Sequence, residues 1–509
     1  NFAYIPADGT LGIRIAMGPR LLKIAVGLFC FLMTGWLLSR SSAFTEQASE
    51  DLGSMAAIAA REGPVWSGIY YVDKKTGARV KVGYAKSETT RTERGYIIDG
   101  ESRLTLKAQG QTAQMRVMSK ILTDLDNRLL SIDFSMLSDA VKFELFGTVD
   151  GKKLNMRIRT AAGEQEQTID IQGDTVLPET ILTHAVRKGL AVGDVVKVPF
   201  FDPTTFSYAD AELRVAEVTT LPEAGDAKVY HLRATFMGIE ADAWVDAEGR
   251  TLREEAGGLL TKIETQEQAL TAGWSGGAKV ESDLVEVAAV RTQKPVLHPR
   301  DASKLVLKIG GIDPAKYAFA DHRQALDGDV VTIQTEDIQP ATYRMPMRDA
   351  AFEPELNATP MIQVFDPGIK EKAREIVGEV RDPLQAARLI HTWVYKTIEK
   401  KPLISIPSAR DVLDIKRGDC NEHATLYTAL ARAVGIPTRI EVGLVWNNNG
   451  FYYHAWNAVF TGQWISIDPT FGQFPADASH LKVLSGDLDA QVPIVQMVGQ
   501  ITLDVLEEK

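Results

Sequence analysis

Apolar and polar residues alternate through most of residues 64–270. Stretches such as SGIYYVDKKTGARVKVGYAKSE and LLSIDFSMLSDAVKFELFGTVDGKKLNMRIRT place apolar side chains at every second position, the period of a half-buried β-strand. Three turn-forming dipeptides interrupt this pattern: Thr76-Gly77, Asp99-Gly100 and Asp150-Gly151. One segment, PETILTHAVRKGLAVGD at residues 178–194, has helical spacing instead. We therefore predict one large, mostly antiparallel β domain over residues 64–270.

Helical spacing becomes the main pattern after residue 366. In DPLQAARLIHTWVYKTIEKK, Asp382 is a suitable N-cap with proline directly after it. The predicted buried stripe consists of Ala386, Ala387, Leu389, Ile390, Val394 and Ile398. In SARDVLDI, Ser408 is followed three residues later by Asp411, which predicts a second helix that ends at Gly418.

A third helix is predicted to begin at Cys420. Asp419 is a good N-cap, and Gly435 and Pro437 stop the helix. The predicted buried stripe is Ala424, Tyr427, Leu430, Ala431 and Val434. A thiol in the first turn feels the positive end of the helix dipole, which favours the thiolate. The alternative is that Cys420 is a small buried residue without a chemical role.

Three strand-like runs follow this helix: TRIEVGLVW, FYYHAWNAVF and QWISIDPT. His454 lies in the second run, and Asp468 ends the third. A hairpin loop with an odd number of residues would place both side chains on one face of the sheet, whereas an even loop would separate them. Catalysis by a thiol requires an imidazole beside it and a carboxylate that orients the ring. The odd loop would therefore complete a site with Cys420.

These motifs resemble the transglutaminase-like superfamily of papain-like Cys-His-Asp proteins, in its bacterial exported branch. The resemblance covers roughly residues 366–509 and rests on GDCNEHATLYTALARAVGIPTR, YYHAWNAVF and WISIDPTFGQFPADASH. It implies Cys420 as nucleophile, His454 as general base and acid, and Asp468 as the orienting carboxylate. It also implies acyl transfer through a thioester to water or to an amine. The Cys420 backbone N–H and a Trp or Gln side chain would hold the oxyanion.

Several residues near these motifs have alternative interpretations. Glu422 and His423 are expected to line the cleft or cap the helix, although a C-x-x-H metal pair is conceivable. Trp456 is expected to be a packing wall, and His391 and Trp393 are expected to be core residues. Asp477 and His480 are expected to hold a loop near the site, and Asp487 with Asp489 forms a poor calcium site. We predict no metal and no cofactor.

Composition narrows the class of partner. The net charge is −11 over 509 residues, and only short basic pairs such as Lys74-Lys75 and Lys400-Lys401 occur, which argues against a nucleic-acid partner. The two cysteines are Cys30 and Cys420. Because Cys30 lies in the N-terminal apolar run, the rest of the chain can form neither an internal disulfide nor a multi-cysteine zinc site.

The first 43 residues carry an export signature. Positive residues precede the apolar stretch 24–38, and Ser41-Ser42-Ala43 provides small residues for cleavage. The alternative is an uncleaved anchor over 21–38, because adding Leu21 and Leu22 nearly reaches the length of a membrane span. Either interpretation predicts an exported protein, periplasmic or otherwise extracytoplasmic, with an inner-membrane anchor in the second case.

We therefore predict an α+β chain in which a large β domain precedes a transglutaminase-like domain. The predicted units are a signal peptide or anchor (1–43), the β domain (64–270), a linker (271–300), a short β segment (301–365) and the transglutaminase-like domain (366–509). The predicted function is that of a peptidase or amidase acting on peptides or proteins, with hydrolysis favoured over transamidation. The alternative is a non-catalytic binding or assembly module whose β domain contacts lipid or protein.

Overall fold

A large β-sheet and a mixed C-terminal part make up the computed structural model. The described residues are 63–72, 79–108, 111–138, 142–160, 163–171, 175–176, 191–203, 207–221, 228–236, 239–246, 251–256, 258–271, 289–401, 408–486, 494–497 and 500–509. Strands outnumber helices in these ranges, so the predicted α+β class is not confirmed. The large antiparallel sheet itself is confirmed. The predicted unit boundaries stay predictions.

The large sheet contains fourteen strands, all paired antiparallel, in the order β8-β7-β6-β5-β4-β3-β2-β1-β14-β13-β12-β11-β10-β9. They are β1 Val65–Val72, β2 Arg79–Thr92, β3 Gly95–Ala108, β4 Gln111–Asp124, β5 Leu129–Ser138, β6 Lys142–Asp150, β7 Lys153–Thr160, β8 Gly163–Asp170, β9 Val195–Asp202, β10 Ser207–Thr219, β11 Val229–Phe236, β12 Ile239–Asp246, β13 Thr251–Ala256 and β14 Leu259–Glu264. The first and last strands pair with each other, so β8 and β9 form the edges.

The predicted turns have different outcomes. Asp150-Gly151 forms the turn between β6 and β7, with Gly151 at φ 61°, as an Asp-Gly hairpin requires. Asp99-Gly100 is not a turn, because both residues lie inside β3. A Cβ on Gly100 would lie 2.6 Å from Ser119 Oγ, so this glycine allows close approach of the neighbouring strand. Thr76-Gly77 lies outside the described residues.

The described residues of the C-terminal part form three smaller sheets. Strands β15 Lys304–Gly310, β16 Gln324–Asp327, β17 Val330–Gln334 and β24 Thr502–Glu508 form one sheet, and β20 Thr438–Asn447, β21 Gly450–Phe460, β22 Trp464–Ile467 and β23 His480–Ser485 form another. Two short strands, β18 Glu399–Lys400 and β19 Arg417–Gly418, pair in parallel. Because β24 pairs with β15, the predicted β segment at 301–365 is completed by the end of the chain.

The described helices are α1 Gln266–Thr271, α2 Pro367–Val377, α3 Pro383–Thr397, α4 Ala409–Ile415, α5 Cys420–Ala433 and α6 Ile494–Met497, with 3₁₀ turns at Pro314–Lys316 and Ala350–Phe352. Asp382 caps α3 and Ser408 caps α4, as predicted. The predicted end of α4 at Gly418 is wrong, because Lys416 adopts the left-handed conformation and closes the helix. The predicted stripe of α3 is also wrong at Leu389, whose side chain is 38% exposed.

One hydrophobic core joins α2–α5 to both four-stranded sheets, with residues from β15, α5 and β21 in the same cluster. The large sheet has its own cores, and the one beneath its first eight strands includes Met361 and Tyr452 from the C-terminal part. Two hydrogen bonds add to this contact, from Thr160 to Asp411 (3.1 Å) and from Gln165 to the Pro360 carbonyl (2.8 Å). The large sheet therefore packs directly on the part that carries the candidate site.

Some predictions fall outside the described residues. These are the signal peptide or anchor at 1–43, most of the linker at 271–300, residues 178–190 of the predicted helix, and Asp487 with Asp489. Residues 191–194 form a turn, not a helix. Within the ranges that the structure describes, every helix is too short or too polar to cross a membrane.

Two adjacent residues of α3 test the core assignment. Ile390 is fully buried, whereas Leu389 is exposed. Ile390→Ala should lower the free energy of unfolding by about 2–5 kcal/mol, because it leaves a cavity in the core. The matched control Leu389→Ala should change it by less than about 0.5 kcal/mol. Urea titration followed by circular dichroism measures both values, and equal losses would contradict this packing.

Candidate active site

The N-terminus of α5 positions Cys420. The Asp419 side chain caps the helix and accepts a hydrogen bond from Asn421 N (3.3 Å), and Glu422 accepts one from Asp419 N (2.9 Å). This reciprocal pair is a capping box, so Glu422 serves the helix end. Gly418 makes it sterically possible, because a Cβ there would lie 2.3 Å from Glu422 Cβ. Cys420 is therefore the first residue of α5, as predicted, and it is buried.

The strand that carries His454 is held against α5 by Asn457. Its side-chain amide donates to the Ala424 carbonyl (3.1 Å) and to Thr428 Oγ1 (2.8 Å), one helical turn apart on α5. All three residues are buried, so both hydrogen bonds are shielded from water. The helix that begins at Cys420 and the strand that contains His454 are thereby fixed to each other.

His454 and Asp468 meet because the hairpin loop has an odd length. Phe460 pairs with Trp464, which leaves residues 461–463 as a three-residue loop. Asp468 directly follows β22 on the same face as His454, and Asp468 Oδ2 lies 2.8 Å from His454 Nε2. The other ring nitrogen, His454 Nδ1, is buried without a hydrogen-bond partner. Since Nε2 donates to the carboxylate, Nδ1 is the nitrogen that can accept a proton.

The backbone after Asp468 fixes its carboxylate. Thr470 N and Phe471 N donate to Oδ1 at 2.6 and 2.9 Å, so each carboxylate oxygen has its own partners. The imidazole of His391 on α3 lies 3.0 Å from the Asp468 carbonyl oxygen. This contact anchors the same loop from the helical side. Asp468 is completely buried, and its charge depends on these donors.

Burial and charge set the protonation of the pair. Burial lowers the pKa of His454 below its usual value, and Asp468 only partly opposes this. Burial alone would raise the pKa of Asp468, but His454 and His480 outweigh it and hold that pKa well below the usual range. The carboxylate is therefore ionised and the His454 imidazole neutral at neutral pH. A neutral imidazole is the form that acts as a general base.

Aromatic rings hold the His454 imidazole in place. The Phe471 ring stacks on it with centroids 4.7 Å apart, and the Arg300 guanidinium lies 4.6 Å from the centre of that phenyl ring. The Trp456 and His454 ring centroids lie 6.0 Å apart, and the Trp456 indole N–H donates to Glu441 Oε2 (2.8 Å). Trp456 is completely buried, so it is a packing wall, as predicted. The second oxyanion donor was expected to be a Trp or Gln side chain. The Trp456 indole already donates to Glu441, and the Gln473 amide already donates to Asp477.

A second histidine contacts the same carboxylate. His480 Nε2 lies 3.1 Å from Asp468 Oδ2, and His480 Nδ1 lies 3.1 Å from Asp477 Oδ1. Asp477 in turn accepts hydrogen bonds from Arg300 (2.7 Å) and Gln473 (2.7 Å). The DASH motif indicated a role near the site for Asp477 and His480. Arg300, which was assigned to the linker, carried no such signal, because it is distant in sequence.

Among the residues that the structure describes, two groups of side chains have ligand atoms within 4.8 Å of one another and so could hold a metal ion. In the first, Asp468 Oδ2 accepts hydrogen bonds from His454 and His480. The second consists of Asp321, His322 and Glu441, and Lys482 Nζ lies 2.8 Å from Asp321 Oδ2. Protein partners therefore account for the first group, and an ammonium group already binds the second. His423 Nδ1 lies 2.6 Å from the Asp419 carbonyl, which gives it a role at the helix end.

The comparisons with known proteins find a family match within the C-terminal part. Residues 370–469 match the model of the transglutaminase-like superfamily. An "Uncharacterized protein" of Haemophilus influenzae is 30% identical over an alignment of 129 residues that covers 23% of this chain. The match spans only 35% of that relative's length.

Two solved structures show weaker similarity. A "Putative Cysteine Protease" from Cytophaga hutchinsonii has 15% identity and a TM-score of 0.28, covering 40% of this chain and 86% of that one. A "Beta-barrel-like Protein of Domain of Unknown Function DUF1849" from Brucella abortus has 12% identity and a TM-score of 0.32, covering 40% and 94%.

Acid unfolding tests the state of Asp468. Its pKa is lower in the fold than in the unfolded chain, so its ionised form stabilises the fold above about pH 3.9, and this stabilisation is lost as the pH falls through the folded value. Asp468→Asn cannot titrate. Its free energy of unfolding should therefore fall by roughly 1 kcal/mol less than that of the wild type between pH 5 and pH 3.

Urea titrations at the two pH values measure this difference. Asp327→Asn, which replaces an exposed carboxylate of β16, is the matched control and should follow the wild type. An Asp468→Asn variant that loses as much stability as the wild type would contradict an ionised, hydrogen-bonded carboxylate at this position.

Proposed function

We propose that the chain is a thiol enzyme acting on amide bonds of peptides or proteins, because residues 370–469 match the transglutaminase-like superfamily. Cys420 is the nucleophile, His454 the general base and acid, and Asp468 the orienting carboxylate. The observation that supports this most is the His454–Asp468 hydrogen bond, which engages Nε2 and leaves Nδ1 as the proton acceptor. The capping box supports it further, since it places the thiol at the positive end of α5.

The proposed reaction begins with proton transfer from Cys420 Sγ to His454 Nδ1. The thiolate then attacks the amide carbonyl carbon, and the oxyanion that forms is stabilised by the Cys420 backbone N–H at the helix N-terminus. As the C–N bond breaks, His454 returns the proton to the leaving amine, and a thioester remains on Cys420. Water or an amine then attacks this thioester with the help of the same imidazole.

We propose hydrolysis as the main outcome, because water needs no binding pocket of its own. The burial of Cys420 and His454 removes any argument from an open, wet cleft. It also means that part of the protein must move before a substrate reaches the thiol. Amine incorporation well above hydrolysis of the same thioester would overturn this preference.

The second candidate function is a non-catalytic binding or assembly module. The complete burial of the thiol and imidazole favours it, because a module that never admits a substrate needs no opening. The large sheet would then provide the contact surface for a lipid or protein partner. Lipid that co-purifies with the chain and is lost when the sheet is disrupted would support this candidate.

Export remains a proposal that rests on the residue pattern of the first 43 positions. An exported thiol enzyme would meet peptides and proteins outside the cytoplasm. Fractionation of cells that produce the full chain, with detection at its C-terminus, tests this placement. Cleavage would produce a shorter soluble chain, whereas an anchor over 21–38 would leave the full-length chain in the membrane fraction.

Alkylation of Cys420 tests the proposed activation. In a Cys30→Ser background, Cys420 is the single thiol. It should react with iodoacetamide well below pH 8.5, the pKa of an ordinary thiol, because the helix end and His454 favour the thiolate. His454→Ala should slow the reaction at pH 6 by about tenfold or more. Comparing rates at several pH values within each variant separates activation from access to a buried thiol.

The matched control for this measurement is His298→Ala, which removes an exposed imidazole and should leave the alkylation rate unchanged. Cys420→Ser should abolish labelling altogether. A Cys420 thiol that titrates near pH 8.5 and responds equally to both histidine variants would contradict the enzyme proposal and favour the binding module.

A further inference from the structure

We infer that His480 is a positioning residue of this site: as a buried imidazolium on Asp468 Oδ2, it keeps His454 neutral and therefore able to accept the Cys420 proton. This inference deepens the proposed function and rests on it. His480 does not touch the thiol in the proposed reaction. It acts through the Asp468 carboxylate that it shares with His454.

The hydrogen-bond geometry requires a proton on each His480 nitrogen. Nε2 lies 3.1 Å from Asp468 Oδ2, and Nδ1 lies 3.1 Å from Asp477 Oδ1. A neutral imidazole has one nitrogen with a lone pair, which would face a carboxylate oxygen without a proton between them. Both carboxylates are buried, so water cannot relieve that repulsion. The imidazolium satisfies both contacts at once.

The fold places this imidazolium by pairing three strands. His480 begins β23 and pairs with Val445 of β20, and Gly443 of the same strand pairs with His454 of β21. Asp477 precedes β23 and is fixed by Ser479, whose backbone N and Oγ both donate to Asp477 Oδ1 (2.9 and 2.6 Å). The position of His480 thus follows from the sheet register and not from a flexible loop.

Counting the charges that meet at Asp468 and Asp477 explains the effect on His454. Three of the four charged groups are buried, and the fourth, Arg300, is partly exposed. Asp468 and Asp477 contribute two negative charges, and His480 and Arg300 contribute two positive charges, so the group is neutral when His454 is neutral. A proton on His454 would add an unbalanced charge to a buried imidazole. If His480 were uncharged, the negative charge of Asp468 would instead attract a proton to His454.

Other titratable groups face this cluster from neighbouring elements. His391 on α3 contacts the Asp468 carbonyl, and Glu441 on β20 contacts Trp456 beside His454. His322 lies near Ser466 of β22. The pKa values agree with the charge count: burial lowers the pKa of His480, but Asp477 and Asp468 outweigh it and the pKa is raised. The charge of His480 also helps to lower the pKa of His454.

Imidazole ¹⁵N NMR of the full chain tests the inference without any enzyme assay. With histidine labelled at the ring nitrogens, His480 should show two protonated nitrogens at pH 7, and His454 should show one, at Nε2. In His480→Gln the amide can still donate to Asp468 but carries no charge. The pKa of His454 should therefore rise by about one unit or more.

Asp477→Asn provides a second variant, because it removes the carboxylate that favours the His480 proton. Its direct effect is on His480, whose pKa should fall. Because the variant removes one negative charge together with the His480 proton, the pKa of His454 should rise less than in His480→Gln. His231→Gln is the matched control, since it removes an imidazole hydrogen-bonded to a carboxylate, Asp242, in the large sheet, and it should leave the His454 titration unchanged. The acid limb of the Cys420 alkylation profile should move with the His454 pKa.

A neutral His480 in the wild type at pH 7 would overturn the inference, even if no variant folds. An unchanged His454 pKa in His480→Gln would overturn it as well, and so would an unchanged His480 pKa in Asp477→Asn. These outcomes are distinct from failure of the proposed function. An unreactive Cys420 together with the expected histidine titrations would refute the enzyme and leave the charge arrangement intact.

Discussion

The buried carboxylate of Asp468 is the constraint on which the candidate site depends. A completely buried charge needs several donors, and they come from separate parts of the chain: His454 on β21, His480 on β23, and the backbone N–H groups of Thr470 and Phe471. Moving any one of these elements would leave the carboxylate underbonded. The same requirement that stabilises the fold therefore fixes the imidazole that the proposed reaction uses.

The position of Cys420 depends on a different part of the structure, the N-terminus of α5. Its capping box fixes where the helix begins, and Asn457 binds two successive turns of that helix to β21. A rigid helix and a rigid strand together define the relative placement of Cys420 and His454. Burial of both residues then makes every electrostatic effect in the site stronger than it would be in water.

Local signals in the sequence predicted the helix ends well, because a cap depends on residues only a few positions apart. Asp419 began α5 and Asp382 began α3, as expected. The hairpin that joins His454 to Asp468 left two alternatives, since side-chain periodicity does not give loop length. Arg300 and the pairing of β24 with β15 could not be predicted, because both depend on contacts between residues about 180–200 positions apart. Leu389 fitted the apolar spacing, but no neighbouring element covers it fully.

The most direct test of the proposed thiol mechanism is to trap an acyl group on Cys420. The chain is mixed with p-nitrophenyl acetate, quenched in acid within seconds and digested, and the site of acetylation is found by mass spectrometry. The proposed mechanism predicts a burst of p-nitrophenolate and an acetyl thioester on the Cys420 peptide, absent in Cys420→Ser and strongly reduced in His454→Ala. Acetylation spread over surface lysines, with no burst and no dependence on His454, would contradict it.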